Sequence, residues 1–230
     1  MHFSHSNEIW RDYPDLVAGV MLVKGISANA DVAADAAAFT ALAAEKLAGR
    51  TEADLPEVQA WRRTFSRMGL KPTQYRCAAE SLLRRFKKEG TLPRIHPAID
   101  LCNAISLAFA IPIAVFDVAR VSGDLEVRYA TGSETYLAFS GETEHPEPHE
   151  VIFADDNAQA HARRWTHRQS ATSAVREDTT TVLIVAEAMH ASALTDVQRV
   201  IDAVSDTFGH AWPSTPRTAI LSAGSPRFEC

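Results

Sequence analysis

Two stretches of this chain carry residue types that can do chemistry. The first, Arg163 to Ser170 (RRWTHRQS), places three arginines, a tryptophan, a histidine and a glutamine within eight residues. Such a stretch offers a titratable base, donors for an anion and an aromatic face, and general composition does not explain it. The second lies within PAIDLCNAISLAFAIPIAVFD, Pro97 to Asp117. There Asp100, Asn103 and Ser106 recur every third residue along a segment that is otherwise apolar, so they form a polar ridge on a buried helix. Buried polar groups need partners, because leaving one unpaired costs about 1–3 kcal/mol. Either the ridge braces the helix against a neighbouring loop, or it lines a polar pocket.

No GxSxG nucleophile motif, Cys/His pair or metal-ligand spacing accompanies these stretches. His145, Glu147 and His149 in TEHPEPHE match no familiar metal-binding pattern, so that segment reads as an ordered surface loop, and neither a metal nor another cofactor is expected.

The elements that must position these groups follow from apolar spacing. Leu16 to Ile26 reads as a buried strand, and Asp31 is placed to cap an alanine-rich helix that reaches Leu47. A helix begins near Pro56 and uses Val58, Trp61, Phe65 and Met68 as its inner face. After the loop KPTQY comes a helix over Ala78 to Lys88. Pro97 opens the central helix, which stops before Pro112, and Pro112 to Asp117 is a short strand. Strands are expected over 124–129, 134–139, 151–154 and 179–187, then a helix with a Thr195/Gln198 capping box ending at Gly209, then a strand-like run over 218–221. Helices and strands intermingle, so the fold class is α/β or α+β.

With 230 residues and 46% hydrophobic content the chain can bury one large core, and no linker or repeat divides it. It has no apolar run long enough for a membrane span and no secretory leader pattern, so no membrane partner is expected and the cytoplasm is the expected compartment. Cys77, Cys102 and Cys230 form no CxxC pair. The net charge of −6 hides an asymmetry: residues 61 to 94 carry +8 and the remainder −14. Arg62, Arg63, Arg67, Lys71, Arg76, Arg84, Arg85, Lys87 and Lys88 are either a phosphate-binding face or solvated helix surfaces.

Ile99, Asp100, Asn103, Leu107, Pro112, Phe116 and Asp117 fit a pattern of the form VDxxNxxxLExGxPxHxFD. Together with GLKPTQYR, GDLEVRYATGSE, FADD and RRWTHRQ, they make residues 10 to 190 resemble the B3/B4 domain of the phenylalanyl-tRNA synthetase β subunit and its free-standing relatives. The resemblance implies that the whole chain is one B3/B4-like domain, a mixed sheet core flanked by helices, with residues 191–230 a helix and tail on the same core. In the synthetase this domain edits mischarged tRNA, and the chain lacks a synthetase core. The resemblance therefore implies a trans-editing hydrolase whose partners are mis-aminoacylated tRNA and an amino acid, with no DNA; the alternative is a non-catalytic binding module. Under it, His167 and Gln169 are the catalytic candidates, while Asn103, Ser106, Ala114, Arg164, Trp165 and Arg168 bind substrate, with Trp165 stacking on the terminal adenine. Arg164 and Arg168 either meet the tRNA end or pair with Asp155 and Asp156. The nine basic residues above would hold the acceptor stem. Two departures stand out: Ala114 where the pattern has histidine, and Gln169 where the editing pocket has a glutamate.

Overall fold

The computed structural model describes residues 1–230. In chain order the elements are β1 (His2–His5), α1 (Asn7–Asp12), β2 (Val17–Lys24), α2 (Ala33–Leu47), α3 (Pro56–Arg67), α4 (Ala78–Glu89), α5 (Pro97–Phe109) and β3 (Ile113–Asp117). There follow β4 (Leu125–Tyr129), β5 (Tyr136–Leu137), β6 (Thr143–Glu144), β7 (Val151–Asp155), β8 (Ala160–Arg163) and β9 (Arg168–Gln169). The chain closes with β10 (Thr181–Ala188), α6 (Ala193–Ala211), β11 (Arg217–Leu221) and β12 (Arg227–Glu229). No helix is long and apolar enough to cross a membrane.

The strands form a four-stranded sheet, β11-β2-β10-β3, and a six-stranded sheet, β12-β1-β4-β7-β8-β9, beside a small β5-β6 pair. Side-chain alternation explains how they stack. On β2, Ala18, Val20 and Leu22 pack with Phe3, Leu125, Val127 and Phe153 of the larger sheet, whereas Met21 and Val23 pack with Leu101, Ile105, Val197 and Val204 of α5 and α6. β10 does the same, with Leu183 and Val185 on one side and Val182, Ile184 and Ala186 on the other. The four-stranded sheet is therefore covered on both faces, which is why β2 and β10 read as nearly continuous apolar runs. Only glycine fits at position 19: an added Cβ would stand 2.5 Å from Ile201 and 2.7 Å from Val197, so it sets the close approach of α6 to the sheet.

Several expectations need correction. The first residues, which show little periodicity, form β1 and α1, because β1 is held by β12 and β4 from more than a hundred residues away. The strand expected over 134–139 shrinks to Tyr136–Leu137. Glu134 is tied instead to Arg128 and to the amides of Thr131 and Gly132, which makes a turn there. Asp31 accepts from the Ala33 amide at 3.0 Å, but Val32 occupies the cap position of α2. α6 begins at Ala193, so Thr195 lies inside the helix, and the Ser192 hydroxyl bonds Asp196.

Candidate functional site

α5 starts at Pro97 with His96 as its cap, the imidazole Nδ1 accepting from the Ala98 amide at 3.2 Å. It ends at Ala110, which takes a left-handed conformation (φ 58°) to turn the chain into β3. The polar ridge does not stay on one surface, since residues three apart drift by about 60° per step around a helix. Asp100 accepts from the Ile95 amide at 2.9 Å, while the buried Ser106 hydroxyl donates to the Ile111 carbonyl at 2.6 Å. Ser106 is thus a brace between helix and loop and lines no pocket, contrary to one of the two readings. Asn103 faces a cavity of about 470 Å³ between α2 and the loop entering α5, shared with Arg94 and His96.

The RRWTHRQS stretch forms the connection between β8 and β9, and it lines a different cleft. β3 and β9 are edge strands of the two sheets, and Gln169 joins them by donating its Nε2 to the Val115 carbonyl at 2.6 Å. At this junction a small cleft of about 60 Å³ is lined by Pro112 and Ala114 of β3's entry and inner face, Thr166, His167 and Gln169 of the turn, and Glu187 of β10. Alternation places Glu187 on the same face as Leu183 and Val185, between the sheets. Asn103 and Gln169, expected in one pocket, therefore occupy separate cavities.

The turn is strained and firmly held. Arg164 (φ 47°) and Trp165 (φ 58°) both adopt the left-handed region, at about 1 kcal/mol or more each. Three bonds hold them there: the Arg164 amide to Glu150 at 3.0 Å, the Trp165 amide to the Val151 carbonyl at 2.7 Å, and the His167 amide to the Arg164 carbonyl at 3.2 Å. Glu150 also receives a two-pronged bond from the buried Arg163, 2.9 Å on each side. Burial works against the Glu150 charge, but Arg163 and Arg164 outweigh it and hold the carboxyl below its usual range.

Trp165 is fully buried, edge-on to Tyr13 and Trp61, and its Nε1 donates to Glu187 at 3.0 Å. A side chain so enclosed cannot stack on a base, which corrects that expectation. Arg164 and Arg168 do not pair with Asp155 and Asp156 either: Arg168 meets Glu144 at 3.3 Å, and Arg164 lies 3.9 Å from Glu150 and over the Tyr75 ring. Asp155 is occupied by the buried His161 and the Ser122 amide.

His167 has the features of a base. Its Nδ1 lies 2.8 Å from the Arg76 carbonyl and 3.3 Å from the Arg76 amide; with the proton on Nδ1 for the shorter of the two contacts, Nε2 keeps its lone pair. Burial lowers the imidazole pKa and the nearby Arg164 and Arg168 charges add to this, outweighing the Arg76 carbonyl bond. Thr166 contributes a buried hydroxyl with no partner. Gln169 has committed one of its two Nε2 hydrogens, which leaves the other and Oε1 to meet a ligand. Glu187, Thr166 and His5, whose Nε2 donates to the Glu187 carboxylate at 2.7 Å, escaped the sequence reading. The available signal was Glu187 itself, a single carboxylate inside the apolar run VLIVAEA.

The basic segment is largely neutralised. Arg62 and Arg76 share the buried Glu80, Arg84 meets Glu52 at 2.8 Å, and Arg85 meets Glu89 at 2.9 Å. Lys87 donates to the Arg50 carbonyl, and Arg67 to the Asp12 carbonyl. Arg63, Lys71 and Lys88 have no ion-pair partner, and Lys71 sits on the loop whose Tyr75 ring meets His167 edge-on at 5.3 Å.

These elements and their order are those of a known family. The B3/4 domain family model matches residues 60–209, and the chain belongs to that family. Among curated proteins it is similar to phenylalanine–tRNA ligase beta subunits. That of Mycolicibacterium paratuberculosis is 32% identical over 118 residues, which is 51% of this chain and 14% of the relative. That of Cereibacter sphaeroides is 33% identical over 75 residues, 33% of this chain and 9% of the relative. The alignments thus span only a small part of these relatives' length. An N-terminal fragment of the phenylalanyl-tRNA synthetase beta subunit from Pyrococcus horikoshii shares the fold with a TM-score of 0.50 and 11% identity, covering 94% of this chain and 49% of that one. The mixed α/β architecture with helices flanking the sheets is that of the B3/4 domain.

Proposed function

We propose that this chain hydrolyses the ester bond of mis-aminoacylated tRNA, with the aminoacyl end held in the cleft where β3 meets β9. The observation that carries this reading is the convergence of Ala114 and Gln169. They are 55 residues apart in sequence, they are two of the positions where the chain departs from the editing-domain pattern, and both line that cleft beside His167.

An aminoacyl ester is already activated, so the protein needs only a placed water, a proton acceptor and a donor for the developing oxyanion. His167 Nε2 takes the proton as the water oxygen bonds to the ester carbonyl carbon. The Thr166 hydroxyl donates to the oxyanion. When the tetrahedral centre collapses, the bond from carbon to the ribose oxygen breaks and that oxygen recovers the proton, which leaves a free amino acid and an uncharged tRNA end. Gln169 Oε1 accepts from a donor on the substrate.

Lys71 on the loop after α3, together with Arg164, is placed to receive phosphates near the tRNA end. Lys71→Glu is expected to weaken tRNA binding and to reduce the slope of log affinity against log salt by about 1. The charge-paired Arg84 and Arg85 contribute less to that slope. The test of the activity is release of radiolabelled amino acid from a panel of deliberately mischarged tRNAs. Selective release supports hydrolysis, whereas binding without release from any member makes the chain a binding module.

A further inference from the structure

Glu187 is the one carboxylate of the cleft, and the proposed hydrolysis does not use it. It is 2% exposed, and both of its protein partners, His5 Nε2 at 2.7 Å and Trp165 Nε1 at 3.0 Å, lie on the same oxygen, Oε1. Oε2 has no hydrogen-bond partner in the protein, and His5 is the one basic side chain within ion-pairing distance of this carboxylate, on Oε1. The other charged group of the cleft, Arg168, is engaged by Glu144. Trp165 and His5 thus fix a carboxylate whose second oxygen has no protein donor at the edge of the cleft, an arrangement that favours a cationic donor from outside.

The space around it is small. About 60 Å³ admits roughly four water-sized groups. Phe153, Val185 and Trp165 close it on the apolar side. The ammonium and α-carbon of an aminoacyl group, with a side chain of about one or two heavy atoms, fill that space, and a phenyl ring does not enter it.

We infer that the cleft selects compact aminoacyl groups bearing a free α-ammonium, such as glycyl, alanyl and seryl, and that Glu187 Oε2 is the anchor for the ammonium. This substrate class rests on the reading of the cleft as the aminoacyl site, but its test does not need turnover. Binding of L-alaninamide, N-acetyl-L-alaninamide and L-phenylalaninamide to the full chain is followed by NMR titration. L-Alaninamide is expected to bind and to perturb the Trp165 and Trp61 indole signals, while the acetylated and aromatic amides do not. Glu187→Gln, which keeps an acceptor for Trp165, should weaken L-alaninamide binding by about tenfold or more, the order expected for a lost charge-assisted bond. Ala114→Val, which narrows the cleft without touching Glu187, should weaken it as well. Equal binding of the acetylated or aromatic amide, or no binding of L-alaninamide, overturns the inference. Binding of L-alaninamide without hydrolysis of any charged tRNA retains it and removes the hydrolytic function instead.

Discussion

Replacing Glu150 by alanine is expected to cost about 3–5 kcal/mol of stability, the range for breaking a buried ion pair by removing one partner. The reason is local. Arg163 and Glu150 are both nearly fully buried, and without the carboxylate the guanidinium keeps only Glu144 as an acidic partner. The same substitution frees the Arg164 amide, one of the bonds holding the left-handed turn, so the turn is expected to relax and His167 to lose its position. Urea unfolding of the variant against the wild type measures the stability change. Glu150→Gln, which keeps an acceptor while losing the charge, should lie between them, and a variant as stable as the wild type would mean that the turn is held by other contacts.

The same carboxylates set how stability depends on pH. Glu134 is buried, yet Arg128 and the Thr131 amide outweigh burial and lower its pKa to about 2, and Glu150 and Asp155 are lowered as well. A carboxyl lowered in the folded state contributes stability that is fully present above its unfolded pKa of about 4 and is lost as pH falls through the folded value. Burial also lowers the imidazoles of His96 and His161, which stay neutral in the fold where the unfolded chain takes up protons. Stability should therefore begin to fall below about pH 6.5 and fall again below about pH 4.5, down to about pH 2.

His167→Ala is expected to slow hydrolysis by about 10²–10⁴-fold, the usual contribution of a general base, with tRNA affinity little changed. Because burial lowers the His167 pKa, the basic form persists below the usual histidine range, so the acid limb of the wild-type rate profile should lie below about pH 6.5. The variant should lose that limb. A limb unmoved by the substitution would assign the proton acceptor to another group.

Much of this fold can be read from residue patterning. The inner face of α3, the proline-started α5 and the two doubly covered strands β2 and β10 all follow from apolar spacing within one element. β1 and α1 were hidden because four residues of strand carry too little period and their partners lie at the far end of the chain. The positions of Ala114 and Gln169 were legible through the family pattern, but their meeting depends on two edge strands of different sheets. Asn103 left that site because the turn of α5 carries each ridge residue to a new neighbour. The basic segment looked like an open phosphate face, since Glu52 lies outside it and, of the two carboxylates inside it, Glu80 serves two arginines while Glu89 pairs with Arg85.

The central claim is that hydrolysis takes place in the cleft between β3 and β9. The most direct test is single-turnover deacylation of the panel's best substrate by the wild type and by Ala114→Leu, with tRNA affinity measured in parallel. The account predicts that the leucine side chain, filling the cleft beside Gln169 and Glu187, abolishes release while tRNA binding persists. Release at the wild-type rate by a folded Ala114→Leu protein would contradict it and move the reaction elsewhere on the molecule.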